Sequence, residues 1–101
     1  MEMIFVVFRS SLEADILRVL EQERIAGFTM LPDILGIGAT GRALHAYPWP
    51  ASNTLLLAAL EEPDTGRLLA ALEAFRAGAA RNQHGADIPL RVFTVPCRQA
   101  L

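Results

Sequence analysis

The sequence predicts an α+β domain with the element order βαββαβ, and three observations predict it. Residues 3–8 (Met-Ile-Phe-Val-Val-Phe) and 89–95 (Pro-Leu-Arg-Val-Phe-Thr-Val) are β-branched and aromatic runs of strand length. Two intervening stretches carry apolar residues at helical spacing: Leu12, Ile16, Val19 and Leu20 in one, Leu68, Leu72, Phe75 and Ala79 in the other. Each of these stretches has an apolar run of strand length on either side, which makes two βαβ halves. Halves joined this way build a four-stranded antiparallel sheet with both helices on one face, the ferredoxin-like arrangement. The 101 residues suit one domain, 1–101, and leave no room for a second.

The first strand is continuous in apolar residues, as expected of a strand covered on both faces. Arg9-Ser10-Ser11 stops it, and Ser10-x-x-Glu13 has the form of a capping box that would satisfy free N–H groups at a helix start. The first helix then runs for about four turns to Ala26-Gly27, with Gly27 where a C-cap glycine belongs. Residues 28–35 read as the second strand, with Pro32 forcing an edge or bulge position.

Residues 36–52 change character. They hold three glycines, two prolines, His45, Tyr47 and Trp49 without clean periodicity. A loop this long in a small domain is uncommon and is usually functional or disordered; its aromatic content argues against plain disorder. Residues 53–60 are the third strand, read as such from their short length and the Glu61-Glu62-Pro63 stop, although Leu and Ala would also suit a helix. Pro63 and Asp64 open the second helix, and Gly78 loosens its end. Residues 81–87 read as polar and irregular, and Pro96 ends the last strand.

Apolar residues make up 52% of the chain and charged residues 20%, rich for a small domain, so part of the apolar surface is expected to be hidden against other subunits. A sheet with helices on one face leaves its other face for that role. The net charge is -2, which excludes the basic stripe of a nucleic-acid binder. All nine basic residues are arginine. Any anion is therefore held by Arg, backbone N–H groups or a helix N-terminus, never by a lysine ammonium. The single cysteine, Cys97, excludes an internal disulfide. With no basic segment ahead of an apolar core and no apolar run of membrane-spanning length, a cytoplasmic location is expected.

The residues quoted above resemble the PII-like superfamily of small trimeric signalling proteins, which includes the nitrogen regulatory protein P-II family. The likeness is to its short bacterial branch. It is carried by the Met-x-Met-Ile-Phe-Val-Val-Phe first strand, the Ala26-Gly27-Phe28-Thr29 turn and the Gly36-Ile37-Gly38 that opens the long loop. It is carried also by the loop end, His45-Ala46-Tyr47-Pro48-Trp49-Pro50-Ala51-Ser52-Asn53, although Ala51 stands where that branch usually has glycine. The resemblance implies a homotrimer that binds a small-molecule effector at the subunit cleft, with an adenine nucleotide as the family's ligand. It implies signalling through the loop between the second and third strands, the T-loop, to a target protein such as a membrane transporter. It places Gly36 and Gly38 at the opening of that loop and Gly85 near a second phosphate-contacting turn.

Taken residue by residue, the ligand-binding candidates are Gly36, Gly38, Arg42, His45, Trp49 and Gly85. The two loop glycines also fit plain turn geometry. Arg42 offers a planar fork and His45 a donor near neutral pH, while a solvated arginine and a histidine capping backbone groups are the alternatives. Trp49 between two prolines is either a stacking wall or a hydrophobic plug at a subunit contact. A metal-responsive trimer using His45, with His84 or Cys97, is the alternative function, though these three do not stand at ligand spacing. Glu61 and Glu62 are neighbours on a strand end, point apart, and lead into the helix. No Gly-x-Ser-x-Gly, His-Glu-x-x-His or P-loop pattern occurs, so the chain is not expected to be an enzyme.

Overall fold

A computed structural model describes residues 1–35, 52–85 and 87–101. Among these, the strands are β1 (Glu2–Arg9), β2 (Thr29–Ile34), β3 (Asn53–Leu60) and β4 (Leu90–Pro96), and the helices are α1 (Glu13–Gln22) and α2 (Asp64–Asn82). A short 3-10 turn, Ser10–Leu12, leads into α1. The sheet order is β2-β3-β1-β4 and every pairing is antiparallel. This is the expected ferredoxin-like α+β arrangement.

Strand alternation decides which side chains go where. Ile4, Val6 and Phe8 of β1 and Leu56, Ala58 and Leu60 of β3 share one face and are buried. They form a single core with Ile16, Val19 and Leu20 of α1 and Leu68 and Leu72 of α2. Both helices therefore cover the same face. On the opposite face, the register aligns Phe5 with Leu57 and Phe93, Met3 with Val95, and Leu31 with Val7 through Leu55. Phe93 is 60% exposed, Val95 47% and Leu31 41%. One face of the sheet is thus a core, and the other, among the described residues, an apolar surface without a helix over it.

Local structure departs from the expected pattern at both helix ends. Leu12, with no side-chain cap, stands at the N-terminus of α1, so the Ser10-x-x-Glu13 capping box does not form. Those two side chains bond instead to residues more than forty positions away, Ser10 to Ser52 and Thr54, and Glu13 to Thr54. Gly27 is not the C-cap of α1 either. Arg24 takes the left-handed conformation with φ 58°. Its N–H bonds the Glu21 carbonyl and the Ile25 N–H bonds that of Leu20, a Schellman closure that carries Ile25 into the core.

The same closure ends α2, which continues past Gly78 through Asn82 into the stretch expected to be irregular. His84, φ 57°, is its left-handed residue, and Gly85 donates to the Ala80 carbonyl at 2.7 Å. At the other end of α2, the Glu62 carboxylate accepts the Gly66 N–H, so this residue leads into the helix as expected. Pro32 lies on the edge strand, beside a register shift between Leu31 and Ile34 where Asp33 has φ 57°.

Leu68 is fully buried between α2 and the sheet. Leu68→Ala should cost about 2–5 kcal/mol of stability, read as a lowered urea midpoint with an unchanged slope.

Candidate functional site

The antiparallel register brings four chain segments to one end of the sheet. Arg9 at the end of β1 is aligned with Asn53 at the start of β3, and Asn53 with Ile34 at the end of β2. On its other side, the Arg9 N–H donates to the Pro89 carbonyl at 3.1 Å, just before β4. Residues 35 and 52, which flank the 36–51 segment, therefore lie at the same sheet end as the turn that follows α2.

That turn has a defined geometry. Gly85 has φ +81°, a conformation that costs a side-chain-bearing residue. After it, Arg91 reaches back across the turn. One guanidinium nitrogen donates to the carbonyls of Ile88 at 3.0 Å and Leu90 at 2.9 Å, and the other contacts the Asp87 carboxylate at 2.6 Å. Arg91 has a second role as well. It is aligned with Val7 on the open face of the sheet, the face on which Arg9 also falls by alternation. The sheet end thus carries two exposed arginines at positions of one face, Arg9 and Arg91, the latter paired with Asp87.

A shallow depression of about 270 Å³ runs between α2 and β4, lined by Leu69, Leu72, Glu73, Arg76, Leu90 and Val92. A neighbouring one, lined in part by Arg76, Ala80, Gly85, Asp87 and Ile88, continues it to the turn. Arg76 donates to the Leu90 carbonyl at 3.4 Å on the floor of the first. Both are open and mixed in polarity.

Of the candidates read from sequence, Gly85 is at this turn and in the second depression. Gly36, Gly38, Arg42, His45 and Trp49 lie outside the described residues. His84 is committed to the α2 terminus as its left-handed residue. Cys97 follows β4, where its N–H bonds the Met1 carbonyl. Among the described residues, no three of His, Cys, Asp and Glu gather as a metal site would need. Likewise among them, no helix is long and apolar enough to cross a membrane.

Sequence reasoning misses Arg9 and Arg91. Arg9 reads as a strand stop and Arg91 as one polar residue inside the last strand. The signal is their parity, since Val7 and Arg9 alternate together and Arg91 falls opposite Val7 once the strands pair.

No family model matches the chain, and no curated protein matches it. Solved structures do. CPII from Thiomonas intermedia K12, a nitrogen regulatory PII-like protein bound to ADP, AMP and bicarbonate, superposes with a TM-score of 0.68 at 16% identity, over 93% of this chain and 82% of that one. Its apo form gives a TM-score of 0.65 at 14% identity, over 93% of this chain and 85% of that one. A candidate PII-like signalling protein from Thermus thermophilus gives 0.56 at 16% identity, over 93% of this chain and 82% of that one.

Gly85→Ala meets no atom within 4 Å, so its whole cost is the positive φ. It should destabilise the chain by about 1 kcal/mol in denaturant melts. The covering of nearly the whole chain by these superpositions leaves one conclusion: the chain has the PII-like fold.

Proposed function

We propose that this protein is a PII-like regulator, a homotrimer that binds a small anionic effector at the sheet end bearing Arg9, Arg91 and the Gly85 turn. The observation that carries this reading is the convergence at that end. The flanks of the 36–51 segment, the exposed Arg9, the Asp87-paired Arg91 and a glycine turn meet there through strand register and the end of α2. With no lysine in the chain, arginine forks and backbone N–H groups are what an anion would meet. CPII, which has the same fold, is bound to ADP, AMP and bicarbonate, and an adenine nucleotide is the effector proposed for this chain. Gly36, Gly38, Arg42, His45 and Trp49 would complete the site from the loop.

The trimer is supported by the apolar face of the sheet, where Phe93, Val95 and Leu31 stand exposed on the single chain. A second and third copy would cover that face and set one subunit's sheet end beside another's. Effector binding would then change how residues 36–52 fit a target protein, for which a membrane transporter is the type implied by the resemblance. Binding and release are the whole of the proposed activity, in the cytoplasm and without catalysis.

Two measurements test this. Calorimetry with ADP, AMP and ATP should give saturable heat for at least one nucleotide, and Arg9→Ala should weaken it about tenfold, the worth of a charged hydrogen bond. Absence of heat with all three would overturn the nucleotide assignment, and heat with Zn²⁺ or Cu²⁺ in its place would favour a metal-responsive trimer. Sedimentation should give three times the 11.0 kDa chain mass. Phe93→Asp, which places a charge on the covered face, should shift the protein to monomer; a wild-type monomer at micromolar concentration would contradict the trimer.

A further inference from the structure

Four polar side chains at the sheet end form a chain of hydrogen bonds that no ligand reading requires. Ser52 Oγ lies 3.0 Å from Ser10 Oγ, which lies 3.1 Å from Thr54 Oγ1, which lies 3.2 Å from Glu13 Oε2. Thr54 is fully buried, so its hydroxyl has no recourse to water. The direction of the chain is forced by proton count. A carboxylate only accepts, so Thr54 donates to Glu13. The Thr54 proton is then spent, and its oxygen accepts from Ser10. Ser10, having donated, accepts from Ser52.

A backbone bond runs beside its first link, since the Ser10 N–H donates to the Ser52 carbonyl at 3.0 Å. The four residues come from three places in the chain: the 3-10 turn (Ser10), the first turn of α1 (Glu13), and the return of the chain into β3 (Ser52 and Thr54).

We propose that this one-way hydroxyl chain is a clasp that makes the head of α1 and the return of the chain into β3 move as one unit. Its anchor is the Glu13 carboxylate, because an ionised acceptor strengthens the bond it receives and orients each hydroxyl behind it. Ser10 and Glu13, which the sequence offers to a helix cap, are used here to tie α1 to the C-terminal flank of residues 36–51. A displacement of Ser52 is thereby transmitted to the first turn of α1, and the reverse.

Amide hydrogen exchange on the full chain tests the clasp, with the Ser10 N–H as reporter and the Ile25 N–H, bonded to Leu20 at the far end of α1, as control. Thr54→Val keeps the buried shape and removes both bonds. It should speed Ser10 exchange about tenfold and leave Ile25 within about twofold. Glu13→Ala should act like Thr54→Val, while Glu13→Gln, which retains an acceptor oxygen, should fall between wild type and Glu13→Ala. Glu13→Ala combined with Thr54→Val should be no faster than Thr54→Val alone, because the Thr54–Glu13 bond that the second change would cut is already gone. Unchanged Ser10 exchange in Thr54→Val and Glu13→Ala, or effects that add in the double variant, would overturn the clasp. Should Thr54→Val fail to fold, Ser52→Ala and Glu13→Ala, both at less buried positions, carry the same comparison. None of these readouts uses an effector, so they stand apart from the nucleotide assignment.

Discussion

The structure depends on β1 being paired on both sides. A strand hydrogen-bonded to β3 along one edge and β4 along the other has no free ladder groups, and its side chains must find cover on two faces. The helices supply cover for Ile4, Val6 and Phe8. Among the described residues no helix covers Met3, Phe5 and Val7, whose aligned neighbours Phe93 and Val95 stand half exposed. A second consequence of the same pairing is positional. By ending beside Asn53 on one flank and Pro89 on the other, β1 fixes the sheet end at which the flanks of 36–51 and the turn after α2 meet.

Much of this is legible in the sequence because it rests on periodicity. The strand runs 3–8 and 89–95 and the apolar spacing from Leu12 and from Leu68 are local signals, and the ferredoxin-like arrangement follows from their order. The run 53–60 is the ambiguous element, since Leu and Ala suit a helix equally. It forms β3, paired along both edges to β1 and β2, so tertiary pairing overrides the weak helix preference of its residues.

What is not legible rests on long-range competition or on residues that do without their usual glycine. Ser10-x-x-Glu13 is a capping box by spacing, but Thr54 lies close by only after the sheet forms, and a buried hydroxyl outcompetes the exposed helix start for both side chains. Gly27 reads as a C-cap and Gly78 as loosening a helix end, yet Arg24 and His84 take the left-handed positions. The burial of Ile25 and Ile88 just beyond these closures supplies a hydrophobic reason for the chain to turn there. The candidate site is half legible. Gly85 is a candidate already in the sequence and lies at the proposed site, whereas Arg9 and Arg91 become candidates only once strand register sets them on one face.

The proposed effector site lies at the sheet end. Backbone chemical-shift mapping of the full chain during titration with ADP tests it most directly, because it reports position as well as binding. The largest shifts should fall on Arg9, Gly85, Asp87 and Arg91. Saturating shifts confined to the far end of the sheet, around Glu2, Leu60 and Pro96, would contradict it.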